Sequence, residues 1–201
     1  MKLFYRFAQL FSYLYFRTFH RFEVHGIQNA PHHGPFILAS NHQSFFDPPA
    51  LGCKLPRNLH YFARDSLFFW PLSALIRNLN SIPVNRTQLD MSTLKRVLSV
   101  LKSGEPLLVF PEGTRSVDGK LGKGKKGVGL LLAKSQCPIV PARVEGGFQI
   151  LGKGMIVPRV GKKLIVRYGQ PIDLNDLDPG KSDPNRYEII SEKVLFAISQ
   201  I

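Results

Sequence analysis

Two short segments of this 201-residue chain carry residue types that could do chemistry together. The first reads Asn41-His42-Gln43-Ser44-Phe45-Phe46-Asp47-Pro48. His42 and Asp47 are separated by four residues, so on one regular helix they would point about 140° apart. They can meet only across a turn. Asp47-Pro48 supplies one, since aspartate suits a helix N-cap and proline the first helical position. A carboxylate on one imidazole nitrogen fixes the tautomer and stabilises the imidazolium form. The other nitrogen is then free to take a proton from a substrate hydroxyl. No serine or cysteine is placed as an obvious nucleophile, so direct attack by that hydroxyl is the simpler chemistry. Taken alone, the pair is equally the pattern of a surface histidine ahead of a capped helix.

The second segment is Phe110-Pro111-Glu112-Gly113-Thr114-Arg115-Ser116. Apolar residues lead into a loop that offers freed backbone amides, a guanidinium and a carboxylate. Arg115 can hold a phosphate through its bidentate fork. Glu112 can accept from a polyol hydroxyl or hold Arg115 in place. Arg86, after the run Ser81–Val84, is a third cation in the set.

These residues need elements to position them. Apolar runs ending at Gly, Pro, Asn or Asp predict strands over Phe22–Ile27, Phe36–Ser40, Leu59–Ala63, Ser81–Val84, Leu107–Phe110, Ile139–Val144 and Leu164–Tyr168. Leu94, Val97, Leu98 and Leu101 follow helical spacing between a cap at Asp90 and a stop at Gly104. Gly127–Ser135 and Asn185–Ile201 complete the predicted helices. Strands alternating with helices imply an α/β fold, a mixed and largely parallel sheet flanked by helices. Ligands in such sheets bind beyond the carboxyl ends of the strands. His42, Arg86 and Arg115 all follow a predicted strand, as does Pro141.

Composition bounds the rest. The length suits one well-buried domain, and the net charge of +13 calls for a polyanionic partner or surface. From Arg115 to Arg167 there are twelve lysines and arginines and two acids. That excess reads as a headgroup-attracting collar beside the candidate site. Cys53 and Cys137 lie in no CxxC pair, which excludes a cysteine zinc site and fits a reducing compartment. The six histidines show no metal-ligand spacing, so no metal is expected.

Residues 1–22 hold nine of the 22 aromatics, with Lys2, Arg6, Arg17 and Arg21 and no acid. On a helix, Lys2, Arg6, Gln9, Tyr13 and Arg17 share one stripe. Leu3, Phe7, Leu10, Phe11 and Leu14 share another. The longest charge-free run, Phe7–Phe16, is far below the roughly 20 residues of a bilayer crossing. The segment reads as a helix lying in the headgroup plane, with Phe4, Phe7 and Phe11 inserted and Arg6 and Arg17 against anionic lipid. A helix packed on its own domain is the other reading. The expected organisation is thus an interfacial helix over 1–22 and a catalytic domain over 23–201.

At these residues the chain resembles the 1-acyl-sn-glycerol-3-phosphate acyltransferase family, within the wider glycerolipid acyltransferases. Asn41-His42 through Asp47-Pro48 is similar to the family's first block, the His-x4-Asp motif. Ile82-Pro83-Val84-Asn85-Arg86 is similar to the second, Phe110–Ser116 matches the third, and Val140-Pro141 resembles the fourth. Departures fall around Asp65-Ser66 and at Pro71-Leu72-Ser73-Ala74, where many relatives carry an acid before the proline and a glycine after it. They bear on the shape of the acceptor pocket.

The resemblance implies that His42, backed by Asp47, deprotonates the sn-2 hydroxyl of lysophosphatidate. That oxygen attacks the thioester of acyl-CoA or acyl-acyl carrier protein and gives phosphatidate, with no cofactor. Arg86 and Arg115 would hold the phosphate, with Glu112, Gly113 and Thr114 around the acceptor and Val140-Pro141 beside the acyl donor. Amides near Gly113 or at a helix start are the candidates for the oxyanion. A membrane-associated protein on the cytoplasmic face is expected, with no nucleic-acid partner. Another lysophospholipid acceptor is the alternative within this class. A basic nucleic-acid-binding module is the alternative outside it, and the chain shows no motif for one.

Overall fold

Strands buried on both faces require nearly uninterrupted apolar runs, and Ile37–Ser40 and Leu107–Val109 are such runs, buried at every position. The computed structural model describes residues 3–70, 72–84 and 91–201. In chain order the elements are α1 (Leu3–Phe19), β1 (Arg21–His25), β2 (Ile37–Ser40), α2 (Asp47–Gly52), β3 (His60–Arg64), α3 (Leu72–Asn78), β4 (Ser81–Val84) and α4 (Met91–Lys102). There follow β5 (Leu107–Val109), α5 (Lys126–Ser135), β6 (Ile139–Glu145), α6 (Gly147–Leu151), β7 (Lys163–Tyr168), α7 (Leu174–Leu177) and α8 (Arg186–Ser199).

The strands form one sheet in the order β1-β7-β6-β2-β5-β3-β4. β6, β2, β5, β3 and β4 run parallel. β7 runs antiparallel to β6 and carries β1 parallel to itself. The five parallel strands therefore bring their carboxyl ends to one edge.

Alternation along the strands feeds two cores. Phe36 and Leu38 join Phe16, Phe22, Leu51 and Val140 on the face covered by α1 and α2. Ile37 and Ala39 join Leu94, Val97, Leu131, Leu132, Val194 and Ile198 on the face covered by α4, α5 and α8. The α4 stripe follows its periodicity, with Leu94, Val97 and Leu101 buried. Its expected cap, Asp90, lies outside the described residues. The first strand is shorter than the sequence predicts, because Gly26 takes φ +70° and the chain turns into a single 3-10 turn at Ile27–Asn29. The short helices α3, α6 and α7 have too few residues to show a period, and the sequence reading passes over them.

α1 differs from its expected orientation in one respect. Gln9, expected on the polar stripe, is buried and donates to the Gly52 and Leu55 carbonyls at 2.8 and 2.9 Å. Gly52 ends α2 and Leu55 follows it, where carbonyls have no partner within the helix; the Gly52 carbonyl also accepts from the Leu55 amide at 3.3 Å. The Tyr5 hydroxyl hydrogen-bonds that of Tyr61 at 2.6 Å and accepts from the Leu59 amide. Phe16 is part of the same core as Phe22, so α1 is built onto the domain. Its outer face is left uncovered: Leu3, Phe4, Phe7, Leu10, Phe11 and Leu14 are exposed, as are Arg6 and Arg17. Among the described residues no helix is long and apolar enough to cross a membrane.

Candidate active site

The carboxyl end of β2 delivers Asn41 and His42 to the parallel edge of the sheet. Asp47 is the first residue of α2, one position later than the N-cap its type suggests, with Pro48 behind it. From there its Oδ2 reaches back across the turn. It lies 2.8 Å from His42 Nδ1 and accepts from the amides of Gln43 at 2.6 Å and Ser44 at 2.7 Å. Asp47 is wholly buried. Its Oδ1 has no hydrogen-bond partner and is closed off by Gly147, where a Cβ would come within 2.7 Å. The protonated nitrogen facing Asp47 is then Nδ1, which leaves Nε2 basic.

The Phe110–Ser116 segment, at the end of neighbouring β5, clamps the His42 peptide at both ends. The His42 amide donates to Glu112 Oε1 at 2.9 Å, and the Ser116 amide donates to the His42 carbonyl at 2.7 Å. The other Glu112 oxygen accepts from the Gly122 amide at 2.8 Å. Burial pushes the Glu112 carboxyl up, against the pull of these two donors. Phe110 lies flat on the His42 ring, with centroids 3.8 Å apart and planes 11° from parallel. The Arg115 guanidinium sits 3.6 Å from the centroid of the Phe45 ring, a cation–π contact.

A cavity of about 750 Å³ opens at His42 and runs between α1, α2, β3 and the start of α5. Most of its lining is apolar, including Pro48, Phe62, Leu79, Val84, Phe110 and Leu131. Its size is that of a pocket for one small organic ligand. Cys53 lines it too, but burial pushes that thiol up to about 12, so it holds no thiolate. Ser44 is fully buried and donates to the Leu151 carbonyl, which removes it as a nucleophile.

His42 and Gly113 line this cavity, and Asp47 and Glu112 are buried behind His42 and hydrogen-bond to it. Thr114 is exposed beside them and Arg115 is half-buried. Arg86 lies outside the described residues. Val140 and Pro141 are fully buried within β6 and do not line the cavity. The Gly113 amide, an oxyanion candidate by sequence, is already bonded to the Phe110 carbonyl at 2.9 Å. Three contributors escape sequence reasoning. Asn41 pairs through its side-chain amide with both backbone groups of Val144, at 2.9 and 2.7 Å, and so fixes the start of the His42 turn against β6. Gln43 donates to the Gly119 carbonyl at 2.6 Å. Gly147 leaves room for Asp47. Asn41 and Gln43 flank His42 in the first segment, and the Gly146-Gly147 pair is the local signal for the third.

An α/β sandwich with a carboxylate-backed histidine at the parallel edge and an apolar cavity beside it defines the class. The same fold is found in the 1-acyl-sn-glycerophosphate (LPA) acyltransferase PlsC of Thermotoga maritima. The TM-score is 0.79 at 27% sequence identity, over 98% of this chain and 78% of that one. The family model described as Acyltransferase matches residues 21–145, more than half of the chain, and the chain belongs to that family. A 1-acyl-sn-glycerol-3-phosphate acyltransferase of Bacillus subtilis is 31% identical over 149 residues, 71% of this chain and 73% of that protein. A chloroplastic enzyme of that name from Brassica napus is 31% identical over 166 residues, 81% of this chain. The chain spans less than half the length of that plant relative, 46%.

Proposed function

We propose that this protein transfers a fatty acyl group from a thioester to the sn-2 hydroxyl of 1-acyl-glycerol-3-phosphate, giving phosphatidate at a membrane surface. The observation that carries this reading is the His42–Asp47 pair opening directly onto an apolar cavity. The names of the Bacillus, Brassica and Thermotoga relatives point to the same acceptor.

In this reading His42 Nε2 takes the hydroxyl proton as the oxygen attacks the thioester carbon, while Asp47 stabilises the imidazolium. Collapse of the tetrahedral intermediate expels the thiolate of coenzyme A or of acyl carrier protein, which takes the proton back from His42. Neither an enzyme nucleophile nor a cofactor is required. Of the oxyanion candidates, the Gly113 amide itself is bonded to the Phe110 carbonyl, and the first turn of α5, whose Lys126 and Gly127 line the same cavity as His42, is assigned the role. Arg86 and Arg115 hold the acceptor phosphate, with Lys125 and Lys126 adding positive charge at the mouth, and the cavity holds an acyl chain. The exposed face of α1, with Phe4, Phe7 and Phe11 beside Arg6 and Arg17, seats the protein on anionic lipid.

The deciding experiment is a matrix of acyl-CoA and acyl-carrier-protein donors against lyso-lipids of differing headgroup. Phosphatidate formed preferentially from lysophosphatidate supports the reading, and preference for a zwitterionic acceptor overturns it. His42→Ala should abolish transfer and leave vesicle binding intact.

A further inference from the structure

Among the described residues, the two most exposed aliphatic side chains away from α1, Ile156 and Val157, belong to the loop between α6 and β7, which also carries Val160. Ile156 is 93%, Val157 73% and Val160 62% exposed. Such side chains normally occur singly on a soluble surface. Here they stand together on a loop that is held firmly. Met155 packs against the core beneath. The Arg159 amide donates to the Ile150 carbonyl at 2.9 Å, and the Met155 amide to the Gly152 carbonyl at 3.1 Å. Between those anchors the tip is held outward instead of folding back onto the domain.

The loop's charge is one-sided. Lys153, Arg159 and Lys162 are all exposed, and no acid occurs between Glu145 and Asp173; Lys163, at the start of β7, pairs with Glu23 at 3.0 Å. The loop also adjoins α1: the Gly161 amide donates to the Phe19 carbonyl at 2.8 Å, and the Arg21 amide to the Lys162 carbonyl at 3.0 Å. Its base is therefore continuous with the end of the exposed apolar face of α1, where Phe19 is itself exposed.

We propose that the 152–162 loop is a second bilayer-contacting element. Ile156 and Val157 enter the acyl-chain boundary while Lys153, Arg159 and Lys162 engage anionic headgroups. This rests on the membrane-surface reading of α1 and extends it, because one helix alone leaves the domain free to pivot about its axis. A second contact off that axis fixes which way the cavity mouth faces, and an insoluble acceptor can enter only if the mouth meets the membrane. Aliphatic tips with a cationic collar and no acid match the chemistry of an anionic bilayer.

The test uses tryptophan reporters in the full chain, in a Trp70→Phe background that removes the single native tryptophan. One variant carries Ile156→Trp and another Phe7→Trp. Each is mixed with phosphatidylglycerol–phosphatidylcholine vesicles brominated in the acyl chains. The expected result is a blue shift and quenching for both reporters. Quenching at Phe7→Trp without quenching at Ile156→Trp overturns the loop proposal and leaves the α1 reading standing. Failure of both overturns the membrane reading itself. A concentration-dependent blue shift of Ile156→Trp without vesicles means a second copy covers the loop, which also overturns the proposal. Ile156→Ser/Val157→Ser should lower vesicle partitioning about tenfold. An unchanged partition coefficient in that doubly substituted protein counts against insertion.

Discussion

The Glu112 carboxylate accepts from the backbone amide of His42 at 2.9 Å and, through its other oxygen, from that of Gly122 at 2.8 Å. The acid in the Phe110–Ser116 segment is thus a bridge that holds the His42 turn against the glycine- and lysine-rich loop. Glu112→Gln keeps one acceptor but turns an N–H toward one of these amides. We expect kcat to fall about tenfold with little change in acceptor KM, and Glu112→Ala to cost in addition about 1–3 kcal/mol of stability. Steady-state kinetics and denaturant unfolding check both. A large KM change with kcat intact would place Glu112 on the substrate instead.

Asp47 holds three donors on one oxygen: the His42 ring and the amides of Gln43 and Ser44. Asp47→Asn removes the negative charge facing the imidazole; its oxygen can keep the three donors of Oδ2, while its NH2 takes the buried position of Oδ1, which offers no acceptor. We expect kcat to drop at least about a thousandfold. The substitution should also lower the thermal midpoint, because it buries an amide N–H with no acceptor. Activity assays paired with thermal melts separate the two effects.

Gln9 anchors α1 by donating to the Gly52 carbonyl at the end of α2 and to the Leu55 carbonyl beyond it. Gln9→Leu, similar in volume but unable to donate, removes the side-chain donor of the Leu55 carbonyl and leaves the Gly52 carbonyl only the Leu55 amide at 3.3 Å. A loss of about 1–3 kcal/mol in total is expected. Denaturant unfolding of the full chain measures it, and a neutral result would mean water replaces the side chain there.

The Arg186 fork on Asp178, helped by the Gly180 amide, holds the Asp178 carboxyl down at about 2 against an ordinary 3.8. A depressed carboxylate stabilises the fold above its unfolded value, and that contribution disappears as the pH falls through the folded value. Asp178→Asn should therefore be less stable than the parent at neutral pH. The gap should close as the pH is lowered from 3.8 toward 2. Unfolding curves at several acid pH values test this.

Much of the site could be read from the chain because its pieces are local. His42 and Asp47 lie within one turn, Phe110–Ser116 is continuous, and each follows an apolar run that had to be a strand. The alternation of strands and helices, and hence the parallel edge, follows from periodicities spanning a few residues. The partners of these residues were not legible. Glu112 reaches a backbone amide 70 positions away, Asn41 one 103 away, and Gln9 a carbonyl 43 away. No local pattern records such a match. Even the turn of α1 about its axis was open, since both a polar and an apolar stripe were present. The carbonyls of Gly52 at the end of α2 and Leu55 just beyond it drew Gln9 inward and left the aromatic face outside. The chain alone determined which groups could do chemistry and in what order they lie along the fold. Only the tertiary structure decided what holds them, because burial and hydrogen-bond satisfaction are settled between segments distant in sequence.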